Sequence, residues 1–268
     1  MCKLFNLEGN VAIVTGGGKG IGKAIAMAFV KEGATVVIAA TTLSTLEETV
    51  KEFEAMGGKA MAIQVDITDE KQVISMVDKT IKAFGKIDIL VNNSGIGGPT
   101  ANVVDLKLED WNKVLAIDLT GYILCAREVL KQSMISRKTG NIINIAAEGG
   151  RTGDGRSGQP MRMPYCCAKM GVIGMTETLS QEVGRDGIRV NAISAAAVRG
   201  ERWMRVVKAK CEAIGMSVDD YITKAMASYS LGRPVEEYEL GNVAVFLASG
   251  ESSGITGQTI VSHCGQHL

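Results

Sequence analysis

The sequence contains few cysteines, and their spacing matches neither a disulfide framework nor a zinc site. Six cysteines occur among 268 residues, which is far sparser than in small disulfide-stabilised domains. No two of them form a CxxC pair, the spacing that structural zinc sites commonly use. We therefore expect neither a disulfide scaffold nor a metal centre.

Neither positive nor negative charge is in excess, and the chain lacks long hydrophobic runs. Lysine plus arginine number 29, as do aspartate plus glutamate, so the formal net charge is zero. A protein without a basic field has no general attraction for nucleic acid, and we expect no nucleic-acid partner.

The apolar runs are short, and no apolar leader precedes the first strand pattern. We therefore expect no signal peptide, no membrane span and a cytoplasmic location.

Aromatic residues make up only 4% of the chain, whereas glycine is frequent, with 32 residues. Short apolar runs alternate with segments of helical periodicity along most of the sequence. The runs that suit buried parallel strands are Val11–Thr15, Thr35–Ala40, Ala60–Val65, Ile87–Val91, Asn141–Ala146, Ile188–Ile193 and Gln258–Val261. The helical segments are Ile21–Lys31, Ser44–Met56, Asp69–Phe84, Asp110–Arg137, Tyr165–Val183 and Val235–Ala248.

This alternation predicts a single α/β domain over residues 1–268. We expect a Rossmann-like, doubly wound parallel sheet of about seven strands with helices on both faces. Two stretches interrupt the alternation: residues 148–164 are rich in glycine and arginine, and residues 199–231 are helical. Each follows a strand at the edge where open parallel sheets bind ligands. We interpret the first stretch as an active-site insertion and the second as a substrate lid.

A glycine-rich turn, TGGGKGIG, links the first strand to the first helix at Thr15–Gly22. Glycines at such a turn permit a tight bend, close approach of the backbone to a phosphate, and close packing of helix on strand. The turn therefore predicts a dinucleotide site. The overlapping G-x-x-x-x-G-K pattern of nucleotide triphosphatases ends at Lys23. In that pattern a serine or threonine follows, whose hydroxyl binds Mg²⁺. Here Ala24 follows and has no hydroxyl, so we reject a triphosphatase site.

The end of the second strand lacks the acidic residue that commonly binds the ribose hydroxyls of NAD. The chain has Ala40, Thr41 and Thr42 there, and Lys19 lies in the glycine turn. No carboxylate would repel the additional phosphate of NADP, and an ammonium group and hydroxyls can hold it. We therefore expect NADP(H) to be favoured over NAD(H).

Five motifs, in order, resemble those of the short-chain dehydrogenase/reductase family over residues 9–265. TGGGKGIG is similar to the TGxxxGxG cofactor turn, VDITD to the adenine-contacting turn, NNSG to the NNAG motif, YCCAK to the YxxxK motif, and ITGQTI to the C-terminal region. The resemblance implies an oxidoreductase that transfers a hydride between NAD(P)(H) and a small-molecule alcohol/carbonyl substrate, and a homo-oligomer, either tetramer or dimer. It assigns cofactor contacts to Gly16, Lys19, Gly20, Ile21, Gly22, Thr41, Asp66, Ile67, Asn92, Gly95, Tyr165, Lys169 and Val198.

The spacing of Tyr165 and Lys169 suits acid/base chemistry. The two residues are four positions apart, so on a helix their side chains share one face. A free tyrosine has a pKa of about 10, and a neighbouring ammonium group lowers that pKa by favouring the phenolate. Tyr165 is therefore the candidate general acid/base. The resemblance adds that Lys169 holds the nicotinamide ribose.

Two of the positions that depart from the family's pattern concern the active site. Ala147 matches the serine that the family usually has at the end of the fifth strand, and Asp118 replaces a helix asparagine. Asp118 can accept the hydrogen bonds that the asparagine makes, although it adds a charge, and it is included among the catalytic candidates. Ser157 and Asp154 of the insertion are candidates to replace the missing hydroxyl.

Arginines are concentrated in the insertion and the lid. Guanidinium groups bind carboxylates and phosphates through paired hydrogen bonds, so an anionic substrate is one interpretation; surface exposure and subunit contacts are the others. The arginines in question are Arg151, Arg156, Arg162, Arg199, Arg202 and Arg205.

Two alternatives to hydride transfer are left open. Ala147 leaves a developing oxyanion less supported, which fits a Tyr/Lys enolisation or elimination on a dinucleotide-binding enzyme. A catalytically silent dinucleotide-binding protein is the third hypothesis, and the presence of both Tyr165 and Lys169 argues against it.

Overall fold

The computed structural model describes residues 5–147 and 159–266, which form an α/β fold around one central sheet of seven parallel strands. The strands are β1 (Val11–Thr15), β2 (Thr35–Ala40), β3 (Lys59–Gln64), β4 (Ile89–Asn92), β5 (Gly140–Ala147), β6 (Ile188–Ala195) and β9 (Thr259–Ser262). They lie in the order β3-β2-β1-β4-β5-β6-β9. A separate parallel pair is β7 (Val198–Arg199) with β8 (Val235–Glu236). The predicted doubly wound sheet is confirmed.

Helices cover both faces of the sheet, as its strands require. The helices are α1 (Gly20–Lys31), α2 (Leu43–Ala55), α3 (Glu70–Phe84), α4 (Leu108–Leu115), α5 (Gly121–Val129), α6 (Ile135–Arg137), α7 (Met163–Val183), α8 (Glu201–Ile214), α9 (Val218–Met226) and α10 (Glu237–Ala248). Side chains of α3, α5 and α7 pack in one core, and those of α1, α2 and α10 pack in the other.

The apolar runs become strands because both of their faces are buried. In β1, Ile13 lies in the core on one face and Val14 in the core on the opposite face, and both are 0% exposed. Successive side chains of a strand point to opposite sides. A strand covered by helices on both sides therefore needs a continuous apolar run rather than an alternating one.

The single helix predicted over Asp110–Arg137 is interrupted by two π-helical turns. These turns span Ala116–Thr120 and Leu130–Met134. A π turn changes helical periodicity by one residue, and the overall apolar pattern hides that change. Such turns occur often at functional sites, and the first of the two carries the buried Asp118.

Several other element boundaries differ from the sequence pattern by one or two residues. Helix α10 begins at Glu237 rather than at Val235, because Val235 and Glu236 pair with β7. The predicted lid contains two helices, α8 and α9, and Gly215 ends α8 in a left-handed conformation with φ of +65°. Most of the predicted insertion, residues 148–158, lies outside the described residues.

The cysteines within residues 5–147 and 159–266 are free thiols. Within the same ranges, no three histidine, cysteine, aspartate or glutamate side chains group so as to hold a metal ion. No helix of this part of the chain combines the length and hydropathy needed to cross a membrane.

Candidate active site

The glycine turn joins β1 to α1 at the carboxyl edge of the sheet. Gly16 and Gly20 have φ angles of +67° and +58°, a region that residues with a side chain rarely adopt. A Cβ atom on Gly22 would overlap the carbonyl oxygen of Gly16. Glycine at these three positions lets the helix start directly against the end of the strand.

The first turn of α1 is shaped to receive a phosphate group. The preceding residue, Lys19, is extended and exposed, and no side chain caps the helix. A Cβ atom on Gly20 would meet only Glu237 Oε1, at 3.6 Å, so the backbone at this end stays open. Uncapped N–H groups and the positive end of the helix dipole attract an anion. The residues present therefore fit the diphosphate of a dinucleotide.

The residues predicted to select between NADP and NAD are all accessible. Thr41 and Thr42 follow the last residue of β2 and are exposed, as is Lys19. The carbonyl oxygen of Thr41 accepts a hydrogen bond from Gln64 Nε2 at 2.8 Å. That bond fixes the backbone at the end of β2, where an additional phosphate would lie.

Asp66 and Ile67, the predicted adenine contacts, shape the turn after β3. The Asp66 carboxylate accepts hydrogen bonds from the backbone N–H and the hydroxyl of Thr68, at 2.9 and 2.8 Å. Ile67 is 4% exposed and lies so close to Gly121 that a Cβ atom there would meet it. The adenine contact of the two residues stays a prediction.

Hydrogen bonds connect the end of β4 to its neighbouring strands. Asn92 is fully buried, and its Nδ2 donates to Asn144 Oδ1 on β5 at 2.9 Å. The backbone N–H of Asn93 donates to the Thr15 hydroxyl, and its Nδ2 donates to the Thr15 carbonyl oxygen, both at 2.9 Å. The loop after β4 is therefore held against the glycine turn.

Asp118 and Lys169 form a buried ion pair beside Gly95. Asp118 Oδ2 lies 3.5 Å from Lys169 Nζ, and the side chains are 0% and 5% exposed. Asp118 Oδ1 accepts the backbone N–H of Ile96 at 2.8 Å. A Cβ atom on Gly95 would lie 2.9 Å from Asp118 Oδ2, so this position has no room for a side chain. Burial raises the pKa of Asp118 and lowers the pKa of Lys169, and each charge opposes the effect of burial on the other.

Lys169 is held by two further acceptors. Its Nζ donates to the carbonyl oxygen of Ile145 at 2.9 Å and to the hydroxyl of Tyr122 at 3.2 Å. Tyr122 is fully buried on α5, and sequence reasoning missed it, because a tyrosine within an apolar helix reads as part of the core. Lys169 Nζ lies 5.9 Å from the centroid of the Tyr165 ring.

Tyr165 lies in the first turn of α7 and is half-buried. Burial raises the pKa of its phenol, and the negative charge of Asp118 raises that pKa further. The positive charges of Arg202 and Arg162 lower it. The predicted effect of Lys169 on the pKa of Tyr165 stays a prediction.

Two of the six arginines singled out in the sequence lie against the ring of Tyr165. The guanidinium carbon of Arg162 is 4.6 Å from the ring centroid, and that of Arg202 is 5.7 Å from it. A Cβ atom on Gly97, in the loop after β4, would be 3.7 Å from the Nη2 atoms of both arginines. The fold thus brings two cations from different segments to one point beside the candidate general acid/base.

Of the other four arginines, the structure describes two, and each has a different setting from that of Arg162 and Arg202. Arg199 forms a salt bridge with Glu236 at 2.8 Å, and Arg205 is exposed on α8. Arg151 and Arg156 lie outside the described residues. The arginine-rich composition therefore reflects more than one role.

The last residues of β5 and β6 carry no hydroxyl. Ala147 ends β5 and pairs in register with Ala195 of β6, and both residues are buried. Ser157 and Asp154, the suggested replacements, lie outside the described residues. Val198, a predicted cofactor contact, is half-buried in β7 and pairs with Val235.

Comparison with known proteins gives matches over almost the whole chain. Residues 16–267 match the family model described as enoyl-(acyl carrier protein) reductase. The 3-oxoacyl-[acyl-carrier-protein] reductase FabG of Thermotoga maritima is 35% identical over 256 residues, which are 96% of this chain and 97% of that protein.

Two solved structures share the fold closely. A single-residue variant of actinorhodin polyketide ketoreductase with NADPH superimposes with a TM-score of 0.91 at 30% identity, covering 100% of this chain and 99% of that one. An NAD⁺-bound xylitol dehydrogenase gives a TM-score of 0.89 at 32% identity, covering 97% of this chain and 98% of that one. The similarity includes the sheet and the helices that carry the site.

Proposed function

This chain belongs to the short-chain dehydrogenase/reductase family, and we propose that it is an NAD(P)(H)-dependent oxidoreductase that acts on an alcohol/carbonyl substrate. The observation that carries the proposal is the position of Tyr165 and the Asp118–Lys169 pair at the same sheet edge as the glycine turn. A phosphate-binding turn and an acid/base tyrosine at one edge are the parts that hydride transfer requires.

Each residue of the site has a proposed role. A dinucleotide held by the glycine turn would supply the chemistry of hydride donation or acceptance. Tyr165 gives a proton to the carbonyl oxygen in reduction and takes one from the hydroxyl in oxidation. Lys169, held by Asp118 and the Ile145 carbonyl, orients the ribose. The residues proposed to hold the dinucleotide are Gly16, Lys19, Gly20, Ile21, Gly22, Thr41, Asp66, Ile67, Asn92, Gly95, Tyr165, Lys169 and Val198.

NADP(H) is the proposed dinucleotide. Lys19, Thr41 and Thr42 are exposed where the additional phosphate would lie, and the residues that follow β2 supply no acid. Among similar structures, one ketoreductase carries NADPH and one xylitol dehydrogenase carries NAD⁺. The choice therefore rests on this chain's own residues.

The function and the dinucleotide preference are tested in one experiment. We expect oxidation of NADPH, followed by its absorbance, with at least one member of a panel of ketones, and tighter binding of NADPH than of NADH in fluorescence titrations. Thr41→Asp should weaken NADPH binding by about fivefold or more, because two negative charges would face each other. Thr41→Asn is the neutral control. Equal affinity of the wild type for the two dinucleotides would refute the preference, and absence of turnover with every ketone would refute the reaction.

Restoring the missing hydroxyl is a second test of the reaction. Ala147→Ser adds a hydrogen-bond donor at the end of β5, where a developing oxyanion would be stabilised. One such donor contributes on the order of 10²–10³ in rate, so we expect turnover to increase by about tenfold or more. Ala195→Ser, at the paired position on β6, is the control. No gain, together with a large loss of turnover in Ser157→Ala, would mean that the insertion supplies the donor. No effect of either change, with Tyr165 still essential, would favour enolisation or elimination over hydride transfer.

We propose that the substrate is a small anionic molecule, since Arg162 and Arg202 lie beside Tyr165. We also propose a cytoplasmic homo-oligomer, a tetramer. Exposed apolar side chains on α4, α5, α6 and α7 support association of subunits there. They are Leu108, Ile123, Ile135, Met163 and Met170.

A further inference from the structure

Arg162 and Arg202 approach Tyr165 from separate parts of the chain. Arg162 immediately precedes α7, and Arg202 lies in the first turn of α8, within the predicted lid. Their guanidinium carbons are 4.6 and 5.7 Å from the centroid of the Tyr165 ring. The Nη2 atoms of both lie 3.7 Å from the Cβ position of Gly97. Two like charges are thus brought together, which costs free energy unless an anion joins them.

Neither guanidinium forms a salt bridge within residues 5–147 and 159–266. Asp118 carries a negative charge that acts on Arg202. However, Asp118 is already paired with Lys169, at 3.5 Å. Among the described residues, this part of the site therefore carries more positive than negative charge, in a protein whose formal net charge is zero.

One donor in this cluster is buried without a partner. The Nε–H of Arg162 is inaccessible to solvent, and no described group accepts its hydrogen bond. A buried donor without an acceptor costs free energy, so an acceptor atom of a bound ligand would stabilise this group. The planar fork of an arginine matches the two oxygens of a carboxylate.

We propose that Arg162 and Arg202 bind a carboxylate of the substrate, so that the enzyme acts on short keto acids and the corresponding hydroxy acids. This inference rests on the proposed function, because it places the carboxylate beside the tyrosine that exchanges the proton. The guanidinium groups lie against the Tyr165 ring, and only a short spacer between carboxylate and carbonyl would let both ends bind at once. Acids with the carbonyl close to the carboxylate fit this requirement.

The test is calorimetric binding of acetoacetate and levulinate, and of their neutral methyl esters, to the enzyme saturated with NADP⁺. We expect the acids to bind more tightly than the esters. Hydrogen bonds to charged groups contribute about 1.5–3 kcal/mol each. Arg162→Gln and Arg202→Gln should therefore each weaken acid binding by about 10- to 100-fold and leave ester binding nearly unchanged.

A matched control separates this site from general surface charge. Lys208 is an exposed cation on the same helix as Arg202, and Lys208→Gln should not change the affinity for the acids. Direct titration with NADPH should give the same affinity in wild type, Arg162→Gln and Arg202→Gln. Loss of NADPH binding in the two variants with acid binding retained would assign the arginines to the dinucleotide and overturn the proposal.

The outcomes distinguish this inference from the proposed function. Equal binding of acids and esters to the wild type, no acid binding, or full acid binding by the double variant Arg162→Gln/Arg202→Gln would overturn the carboxylate site. Reduction of neutral ketones in any of those cases would leave the oxidoreductase assignment standing. Acid binding that is lost in the variants, without oxidation of NADPH by any ketone, would support the carboxylate site and refute the reaction.

Discussion

Replacing Tyr165 with phenylalanine should abolish turnover while leaving dinucleotide binding nearly unchanged. The substitution removes only the phenolic hydroxyl, which is the atom proposed to exchange a proton with substrate. Proton transfer by a positioned side chain contributes about 10²–10⁴-fold in rate, so we expect a loss of that size. The ring remains, and with it the contacts of Arg162 and Arg202.

Two measurements decide the role of Tyr165. Steady-state turnover with the best ketone of the panel reports the loss, and fluorescence titration with NADPH reports dinucleotide binding. Tyr238 on α10 is 63% exposed, and Tyr238→Phe is the matched control for removal of a phenolic hydroxyl. Near-normal turnover in Tyr165→Phe would show that another group moves the proton.

Replacing Lys169 with methionine should destabilise the fold as well as stop catalysis. The buried Asp118 would lose its ion pair at 3.5 Å, and the acceptors Ile145 and Tyr122 would lose a donor. Removing one partner of a buried pair costs about 3–5 kcal/mol, because it leaves an uncompensated charge. Methionine keeps most of the apolar stem of lysine, so little of the loss should come from a cavity.

A double-mutant cycle isolates the ion pair in this prediction. Asp118→Asn in the Lys169→Met background removes the unpaired charge, while the amide oxygen can still accept the Ile96 N–H. We expect the double variant to have a larger free energy of unfolding than Lys169→Met in urea denaturation, with turnover still absent. Equal stability of these two variants would mean that the unpaired Asp118 carboxylate does not destabilise the fold.

The local sequence pattern determined the sheet and the glycine turn. Continuous apolar runs mark strands that are buried on both faces, and the structure has seven parallel strands where those runs occur. Glycines at positions 16 and 20 mark a turn with positive φ. The run Asn141–Ala146 predicted β5 to within one residue at each end, since the strand spans Gly140–Ala147. These features depend on residues that are close together in the sequence, so the sequence pattern predicts them without the tertiary structure.

The surroundings of the catalytic candidates were decided by tertiary packing. Spacing put Tyr165 and Lys169 on one helix face, but it did not show that Lys169 is bonded to Tyr122 and the Ile145 carbonyl. It also did not show that Asp118 occupies a π-helical turn. These contacts join segments that are far apart in the chain, and no periodicity records them.

The sequence identified the arginines as candidates, and the tertiary structure shows which of the described ones lie at Tyr165. The composition identified six arginines as possible anion ligands, but it did not show which of them lie at the site. The structure places Arg162 and Arg202 against Tyr165 and pairs Arg199 with Glu236. Arg162 lies immediately before α7 and Arg202 in the first turn of α8, and the fold brings these distant segments to one ring. Long-range packing of that kind arises from the whole core, so it could be established only from the tertiary structure.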